Sequence, residues 1–294
     1  MTKQLQLIKL YCTICHYYDT ILVPYAQRLS NNFCPNFTDE EAITIYIWGL
    51  MNKKFTVKDA YDYIVEDYLD WFPELPGYKT FNNRICYLSD AIIALANTLL
   101  EDLPIDEEVK IHVIDSLPVV LANQKRSGWA KVAPEICNKG YCDSKKMWYY
   151  GVKVHALAQS RYKTIPVPRK MFVTPASVAD LPAGKEMLGD VVNVDLYGDK
   201  AYKDKEWEEY IFTENGTVVY TPVKLKRGEE RLDSADTLYS AAVSKLRQPI
   251  ESFFNWVLEK TNMQEASKVR SLKGLLSFIF IRIAYLGLLC MNIL

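Results

Sequence analysis

The sequence is poor in the residues that bind soft metals or build disulfide scaffolds. It has only three histidines, and its seven cysteines are an odd number spread without a framework. Residues 12–16 have the spacing of a c-type haem attachment site, but they lie in an apolar segment with helical character, and such attachment normally belongs to exported proteins. Cys137, Cys142 and His155 lack the second close-spaced pair of a typical zinc site. Neither haem nor zinc is therefore expected.

Export and disorder signals are also missing. The sequence does not open on a charged segment followed by an apolar one, and with its cysteine usage this predicts a cytoplasmic protein. A composition of 49% hydrophobic and 24% charged residues is typical of a folded chain, and no internal repeat or low-complexity tract interrupts it.

One long apolar run is present, at residues 274–294. It is long enough to span a bilayer, but Arg282 lies near its middle, at a cost of about 3 kcal/mol on insertion scales. On a helical wheel its polar residues share one side. We expect a helix packed on a protein core and no membrane partner, with insertion as the alternative.

The near-zero net charge of -1 hides an uneven distribution. Residues 1–122 carry 17 acidic and 9 basic side chains, whereas residues 123–170 carry 11 basic and 2 acidic ones. A solvated basic face is one interpretation, and a surface for a polyanionic substrate is the other. The basic residues of this block that we assign to DNA binding are Lys125, Arg126, Lys131, Lys139, Lys145, Lys146 and Lys153.

The first hundred residues have helical patterns. Thr38 and Glu41 form a capping-box sequence, Thr56 begins a second helix, and a third begins near Thr80. Short helices joined by short turns are compatible with a helix-turn-helix that binds DNA, and a helical packing domain is the alternative. In the first case the contacts would come from Lys79, Asn82 and Arg84. We place the domain boundary in an acidic link, giving domains at 1–104 and 105–294.

Strands and helices alternate after this link. Strands are predicted at 109–115, 149–157, 163–173, 191–196 and 217–221, and helices at 180–188, at about 203–212 and at 240–260. Three strands in succession, followed by helices alternating with two more, predict an α/β fold: a five-stranded mixed sheet flanked by helices.

Three acids fall where this fold can bring them together. Asp115 and Asp199 end or follow two strands, and Glu251 lies on the helix predicted at 240–260, beside its apolar face. If the two strands are neighbours, the two aspartates lie at one end of the sheet. Carboxylates without nearby cysteine or histidine form a hard-oxygen site suited to magnesium (Mg²⁺) or manganese (Mn²⁺), and two such ions support in-line attack on a phosphodiester.

Several sequence blocks resemble the DDE transposases of the IS982 family of bacterial insertion sequences. The blocks are residues 115–119, 139–146, 149–155, 174–176, 198–202 and 247–254, with 37–41 and 71–84 in the helical part. The resemblance covers nearly the whole chain. It implies an RNase H-like catalytic core with Asp115, Asp199 and Glu251 as catalytic metal ligands for two ions.

The chain departs from the wider IS4-like group in its last helix. That group carries a Tyr-x2-Arg-x3-Glu-x6-Lys signature, and here Ser244 and Leu258 replace the tyrosine and the lysine, while Arg247 and Glu251 remain. Contacts from this helix to the terminal phosphate are therefore in doubt.

The resemblance implies a transposase that cuts double-stranded DNA at the terminal inverted repeats of an insertion sequence and joins the ends to target DNA. Lys200, Arg247 and the basic block would contact phosphates, and Lys153 and His155 would orient a phosphate or an acid unless they lie on a solvated sheet face. We expect a homodimer on DNA in the bacterial cytoplasm, associated with the nucleoid when bound. A catalytically silent DNA-binding protein and a nuclease without strand joining are the alternatives.

Overall fold

The computed structural model describes residues 2–28, 35–143, 145–225, 228–229 and 231–293. The chain divides into two compact units. The first unit comprises Met1–Leu103, Lys131–Glu135 and Val257–Leu294, and the second comprises Pro104–Ala130 and Ile136–Trp256. The sequence prediction placed residues 105–294 in one domain, whereas in the structure residues 257–294 group with the N-terminal helices.

The described part of the first unit is helical. Its helices are α1 (Lys3–Tyr17), α2 (Val23–Ala26), α3 (Asp39–Met51), α4 (Val57–Asp67), α5 (Tyr78–Tyr87) and α6 (Ser89–Glu101), with a π-helical turn at Tyr18–Leu22 and a 3-10 turn at Leu69–Trp71. The predicted capping box is confirmed: the Thr38 hydroxyl accepts from the Glu41 N–H, and the Glu41 carboxylate accepts from the Thr38 N–H. Thr56 caps α4 in the same manner through the N–H of Asp59. These hydroxyls fix the helix starts because they satisfy amides that have no partner inside the helix.

The C-terminal apolar run forms the core helix of the first unit. Most of helix α11 (Leu272–Cys290) is buried, and Gly287 packs so closely on α6 that a Cβ there would lie 2.9 Å from the Leu99 Cβ. The helix is long and apolar enough to cross a membrane, and 72% of its most apolar window is buried within the protein. Arg282 is fully buried and donates hydrogen bonds to the Thr261 and Phe278 carbonyls and to the Tyr46 hydroxyl.

The second unit is built on a mixed sheet. Its strands are β1 (Ile111–Ala122), β2 (Asn138–Cys142), β3 (Met147–Arg161), β4 (Thr164–Pro175), β5 (Asp195–Tyr197) and β6 (Val218–Tyr220). The path through the sheet is β2-β3-β1-β5-β6, and β4 also pairs with β3. Strands β1, β2 and β4 each pair antiparallel with β3, whereas β5 lies parallel to β1 and β6 parallel to β5. The predicted mixed α/β fold is confirmed.

Helices α7 (Asp180–Met187) and α8 (Lys205–Asn215) follow β4 and β5, with a 3-10 turn at Lys200–Tyr202, and α9 (Ser234–Arg247) and α10 (Pro249–Thr261) follow β6. A buried cluster joins the sheet to α7, the 3-10 turn and α8. Its members are Ile114, Leu157, Met187, Leu188, Leu196, Tyr202, Trp207, Ile211 and Val219. This core holds the part of β1 around Ile114, next to Asp115, and the 3-10 turn after β5 in fixed positions.

The strand prediction was wrong in number and in two boundaries. Strand β2 was not predicted, β1 continues past Pro118, and β5 is shorter than the predicted 191–196. The helix predicted at 240–260 is two helices, and the second begins at Pro249, a residue favoured in the first turn because it has no N–H to leave unpaired.

Candidate active site

The register of the parallel strands brings two of the predicted acids to the same end of the sheet. In the β1–β5 pair, Val113 lies opposite Tyr197, and Asp115 and Asp199 each follow two residues later. Gly198 allows this approach, because a Cβ there would lie 2.9 Å from the Tyr202 ring and 3.2 Å from Ile114 Cγ2. The adjacency on which the sequence prediction depended is therefore present.

Both carboxyls are harder to ionise than ordinary aspartates. Burial raises the pKa of Asp115 to about 6; the Ser116 N–H and the Arg247 charge oppose this rise, and the charges of Asp199 and Asp180 add to it. Burial also raises the pKa of Asp199, with a further contribution from Asp180 and an opposing one from the Ala201 N–H. These acids thus form a region of concentrated negative charge, which a cation or a proton stabilises.

Arg247 connects Asp115 to the third predicted acid. At the end of α9, its guanidinium donates through Nη1 to Asp115 Oδ2 at 2.7 Å and through Nη2 to Glu251 Oε1 at 2.8 Å. Arg247 is only 19% exposed, whereas Glu251 is 57% exposed. A guanidinium held between the two carboxylates carries a positive charge in the part of the site where the sequence predicts metal ions.

The predicted ligands are of the right chemical type for a hard cation, but their side chains are not gathered into a binding site. Oxygen ligands of Asp115, Asp199 and Glu251 suit magnesium or manganese. Among the described residues, however, no group of three or more histidine, cysteine, aspartate or glutamate side chains is close enough to hold an ion. Release of Glu251 from Arg247 would be needed before all three acids could share a cation.

The structure adds one acid that the sequence prediction missed. Asp180, at the start of α7, accepts hydrogen bonds from Ser116 Oγ at 3.0 Å and from Lys153 Nζ at 3.0 Å, and its charge acts on both Asp115 and Asp199. Its only sequence signal was its place in the first turn of a predicted helix, where aspartates commonly occur for helix stability alone.

Lys153 and His155 do not lie on a solvated sheet face. Lys153 is half-buried against Asp180, and His155 is fully buried, with Nε2 2.8 Å from Thr174 Oγ1. His155 Nδ1 has no hydrogen-bond partner and lies 3.8 Å from Asp180 Oδ1. Burial lowers the pKa of His155 to about 4, so the ring is neutral near pH 7. Both side chains lie next to Asp180, which in turn acts on Asp115 and Asp199. This position favours the predicted orienting role over the alternative of a solvated sheet face.

The remaining predicted DNA-binding residues fall into two groups. The exposed ones are Lys79, Lys125, Arg126, Lys131, Lys139, Lys145, Lys146 and Lys200. Asn82 is half-buried, and Arg84 is only 12% exposed because its guanidinium forms an ion pair with Asp39, which also binds Arg28. An ion pair inside the first unit therefore accounts for Arg84. Beside the acids lies a cleft of about 440 Å³, lined by Asp199, Lys200, Pro222, Ser240, Ala241, Ser244 and Arg247.

A mixed sheet that gathers carboxylates and cations at one end, beside an open cleft, is typical of α/β enzymes, which bind ligands outside the carboxyl ends of their strands. The particular family follows from comparison with known proteins. The family model described as "Transposase DDE domain" matches residues 110–288, well over half of the chain, and the protein belongs to this family of transposases. Searches among curated proteins and among solved structures gave no match.

Proposed function

We propose that this protein is a DNA transposase that cleaves phosphodiester bonds at the ends of an insertion sequence and joins the resulting 3′-hydroxyl ends to target DNA. The observation that carries the proposal is the position of Asp115 and Asp199, side by side at one sheet end, with Arg247 linking Asp115 to Glu251. All four residues lie within the segment that matches the transposase family.

An RNase H-like core is the fold that we propose for the second unit. Strand β3 lies between β4 and β1 and is antiparallel to both, and two strands parallel to β1 follow, in the order β4-β3-β1-β5-β6. Strand β2 pairs only with the start of β3 and is an addition to this core. The IS982 family is the finer assignment that we propose from the sequence blocks named above.

Asp115, Asp199 and Glu251 are the proposed ligands of two divalent ions, magnesium or manganese. When bound, such ions activate the attacking oxygen and stabilise the leaving oxygen in phosphodiester attack. The Ser116 N–H donates to Asp115 Oδ1, while Asp115 Oδ2 accepts from Arg247. The Ala201 N–H donates to Asp199 Oδ1. In this proposal Arg247 neutralises Asp115 and Glu251 until cations and DNA arrive, and it then turns to a DNA phosphate.

DNA binding is proposed to use the exposed lysines and arginines around this site. Lys200 lines the cleft beside Asp199, and we assign its ammonium to a phosphate next to the cleaved bond. The wider basic block at 123–170 would contribute contacts that depend on salt but not on base sequence. A homodimer is proposed because two DNA ends must be paired, and the bacterial cytoplasm is the proposed location.

The test is cleavage and joining of DNA by wild type and by Asp115→Asn, Asp199→Asn and Glu251→Gln, each with magnesium. Each substitution should reduce end cleavage at least about 100-fold, because it removes several kcal/mol of metal-assisted stabilisation. Glu259→Gln, an equally exposed acid on the same helix, is the matched control. Wild type that cuts no better than Asp115→Asn would contradict the proposal.

A second assay separates a transposase from a nuclease. Pre-cleaved ends are incubated with plasmid and magnesium, and a transposase yields end–plasmid joints. Cleavage without any joined product would identify a nuclease.

A further inference from the structure

The hairpin of β2 and the first residues of β3 exposes two aromatic rings. Tyr141 lies opposite Trp148 in the register, and their ring centroids are 5.2 Å apart with the planes tilted by 57°. Tyr141 is 41% exposed and Trp148 is 46% exposed. Lys139 completes this surface, with Nζ 4.8 Å from the Trp148 ring centroid. We call Lys139, Tyr141 and Trp148 the aromatic face of the hairpin.

The opposite face of the same hairpin packs on the protein, so the exposed rings are not needed to hold the hairpin in place. Cys142 and Tyr149 are buried with Ala176. Gly140 contacts the same segment so closely that a Cβ there would lie 2.3 Å from the Ala176 carbonyl oxygen. Since this buried face anchors the hairpin, the aromatic face is not required for its packing and leaves two large rings available to a ligand.

Charge identifies the kind of ligand. Among the described residues of 138–148, Lys139, Lys145 and Lys146 are basic and Asp143 alone is acidic. Lys145 and Lys146 are exposed at the turn of the hairpin. Aromatic rings interleaved with lysines are suited to nucleic acid, because each base can stack on a ring while phosphates contact the ammonium groups. An apolar or acidic protein partner would match only one of these two features.

The hairpin also extends from the end of the sheet that holds the acids. Asp115 pairs with Ala156 of β3, and Trp148 lies eight residues earlier on that strand. At about 3.3 Å per residue this separation is at most about 26 Å. A DNA strand that follows β3 with the duplex rise of about 3.4 Å per nucleotide covers this maximum separation in about seven or eight nucleotides.

We propose that the aromatic face binds an unpaired DNA base about seven or eight nucleotides from the cleaved phosphodiester, stacking it on Trp148 and Tyr141. A base that stacks on Trp148 displaces the Lys139 ammonium toward the adjoining phosphate. The inference rests on the proposed function. It adds that the transposase prefers DNA that is unpaired beside the cleaved bond.

Binding by the full chain is measured by fluorescence anisotropy with two probes, a labelled 20-nucleotide oligo(dT) and a labelled 30-base-pair duplex of arbitrary sequence. Trp148→Ala and Tyr141→Ala should each weaken oligo(dT) binding by about 5- to 100-fold and duplex binding by less than about twofold, since stacking of a base is lost while phosphate contacts remain. Trp148→Phe should bind oligo(dT) within about threefold of wild type, because a stacking ring is kept.

The other end of β3 provides a matched control. Tyr162 is 86% exposed in the turn between β3 and β4, and Lys163 Nζ lies 4.9 Å from its ring centroid, so this site has one ring and a lysine in place of the two facing rings. Tyr162→Ala should leave both affinities unchanged. Trp129→Ala tests the other exposed tryptophan of the basic block, 85% exposed, and should also leave oligo(dT) binding unchanged.

A position-specific readout tests the distance. Crosslinking from 5-iodouracil, placed in turn along a DNA end with an unpaired flank, should reach Trp148 most efficiently about seven or eight nucleotides from the cleavage point. Three outcomes would overturn the inference. The substitutions at Trp148 and Tyr141 could weaken the binding of both probes equally, or weaken oligo(dT) binding no more than Tyr162→Ala does. Wild type could also fail to bind oligo(dT). Cleavage by wild type and Asp115→Asn is scored separately, so a functional transposase without this stacking site is distinguishable from a protein that is not a transposase.

Discussion

Arg247 and Asp115 form an ion pair of 2.7 Å at the end of the sheet, between two residues 132 positions apart in the sequence. The same guanidinium binds Glu251, so one cation serves two acids whose mutual repulsion would otherwise be unrelieved. In the absence of metal, Arg247 is thus the counter-charge of the proposed site. Metal ions and Arg247 are expected to compete for these carboxylates.

Replacing Arg247 should make the protein depend on divalent cations for its stability. Arg247→Gln in EDTA should lower the thermal unfolding midpoint near pH 8, since it leaves the largely buried Asp115 carboxylate without its cation. Magnesium should raise the midpoint of the variant more than that of wild type. Lys245→Gln, an exposed residue on the last turn of the same helix, is the control. Equal magnesium effects on wild type and Arg247→Gln would contradict the competition.

Removing the Asp115 charge should change how stability depends on pH. The pKa of Asp115 is raised from 3.8 to about 6, so the folded state holds this proton more tightly than the unfolded state. Its contribution to stability is complete below pH 3.8 and is lost as the pH rises through about 6. In EDTA, Asp115→Asn should therefore gain stability relative to wild type between pH 4 and pH 8, by at most about 3 kcal/mol.

Urea unfolding at several pH values measures this gain. The pKa of about 6 already includes the opposing charge of Arg247, so the limit needs no separate subtraction for this ion pair. Glu259→Gln, an exposed acid paired with Lys260, provides the comparison. A stability difference between wild type and Asp115→Asn that stays constant from pH 4 to pH 8 would show that this carboxyl does not carry the raised pKa.

The ion pair of Lys153 and Asp180 should be energetically coupled. The two side chains are 15% and 20% exposed. Lys153 also donates to the Val178 carbonyl, and Asp180 also accepts from Ser116 Oγ. A double-mutant cycle with Lys153→Met and Asp180→Asn should give a coupling free energy of about 1–3 kcal/mol. The more exposed pair of Lys185 and Asp204 should show weaker coupling, because solvent screens it. Equal coupling in the two pairs would show that Asp180 is only a surface acid.

Strand and helix patterns leave local sequence signals, and these indicated three acids whose role as metal ligands stays a prediction. Asp115 and Asp199 follow β-branched or apolar runs, and Glu251 borders an apolar stripe in which Ile250 and Phe253 are fully buried. Asp180 was not predictable in this way, since its contacts with Ser116 and Lys153 depend on how β3 and β4 pair. A single sequence does not encode that pairing in any local pattern.

The errors in the strands have similar causes. Strand β2 contains Asn138 and Gly140, residues of low β propensity, and it forms because Gly140 allows close contact with the Ala176 backbone. Strand β1 was expected to stop near Pro118. Beyond Val113, however, β1 pairs with β3 alone among the described strands, because β5 has ended. The proline therefore lies where, in the described sheet, one edge of the strand has no partner that needs its missing N–H.

Arg282 should be essential to the first unit although it lies within its most apolar helix. Its guanidinium satisfies the Thr261 and Phe278 carbonyls and the Tyr46 hydroxyl, and no solvent reaches it. Arg282→Met keeps much of the volume but removes the donor to the Thr261 carbonyl and the Tyr46 hydroxyl, so we expect a loss of about 3–5 kcal/mol in the free energy of unfolding. Tyr46→Phe removes one of the same bonds and should cost about 1 kcal/mol. Urea unfolding monitored by circular dichroism compares the two variants with wild type. An Arg282→Met variant as stable as wild type would mean that apolar packing alone holds this helix, and the hydrogen bonds of Arg282 would then contribute no net stability.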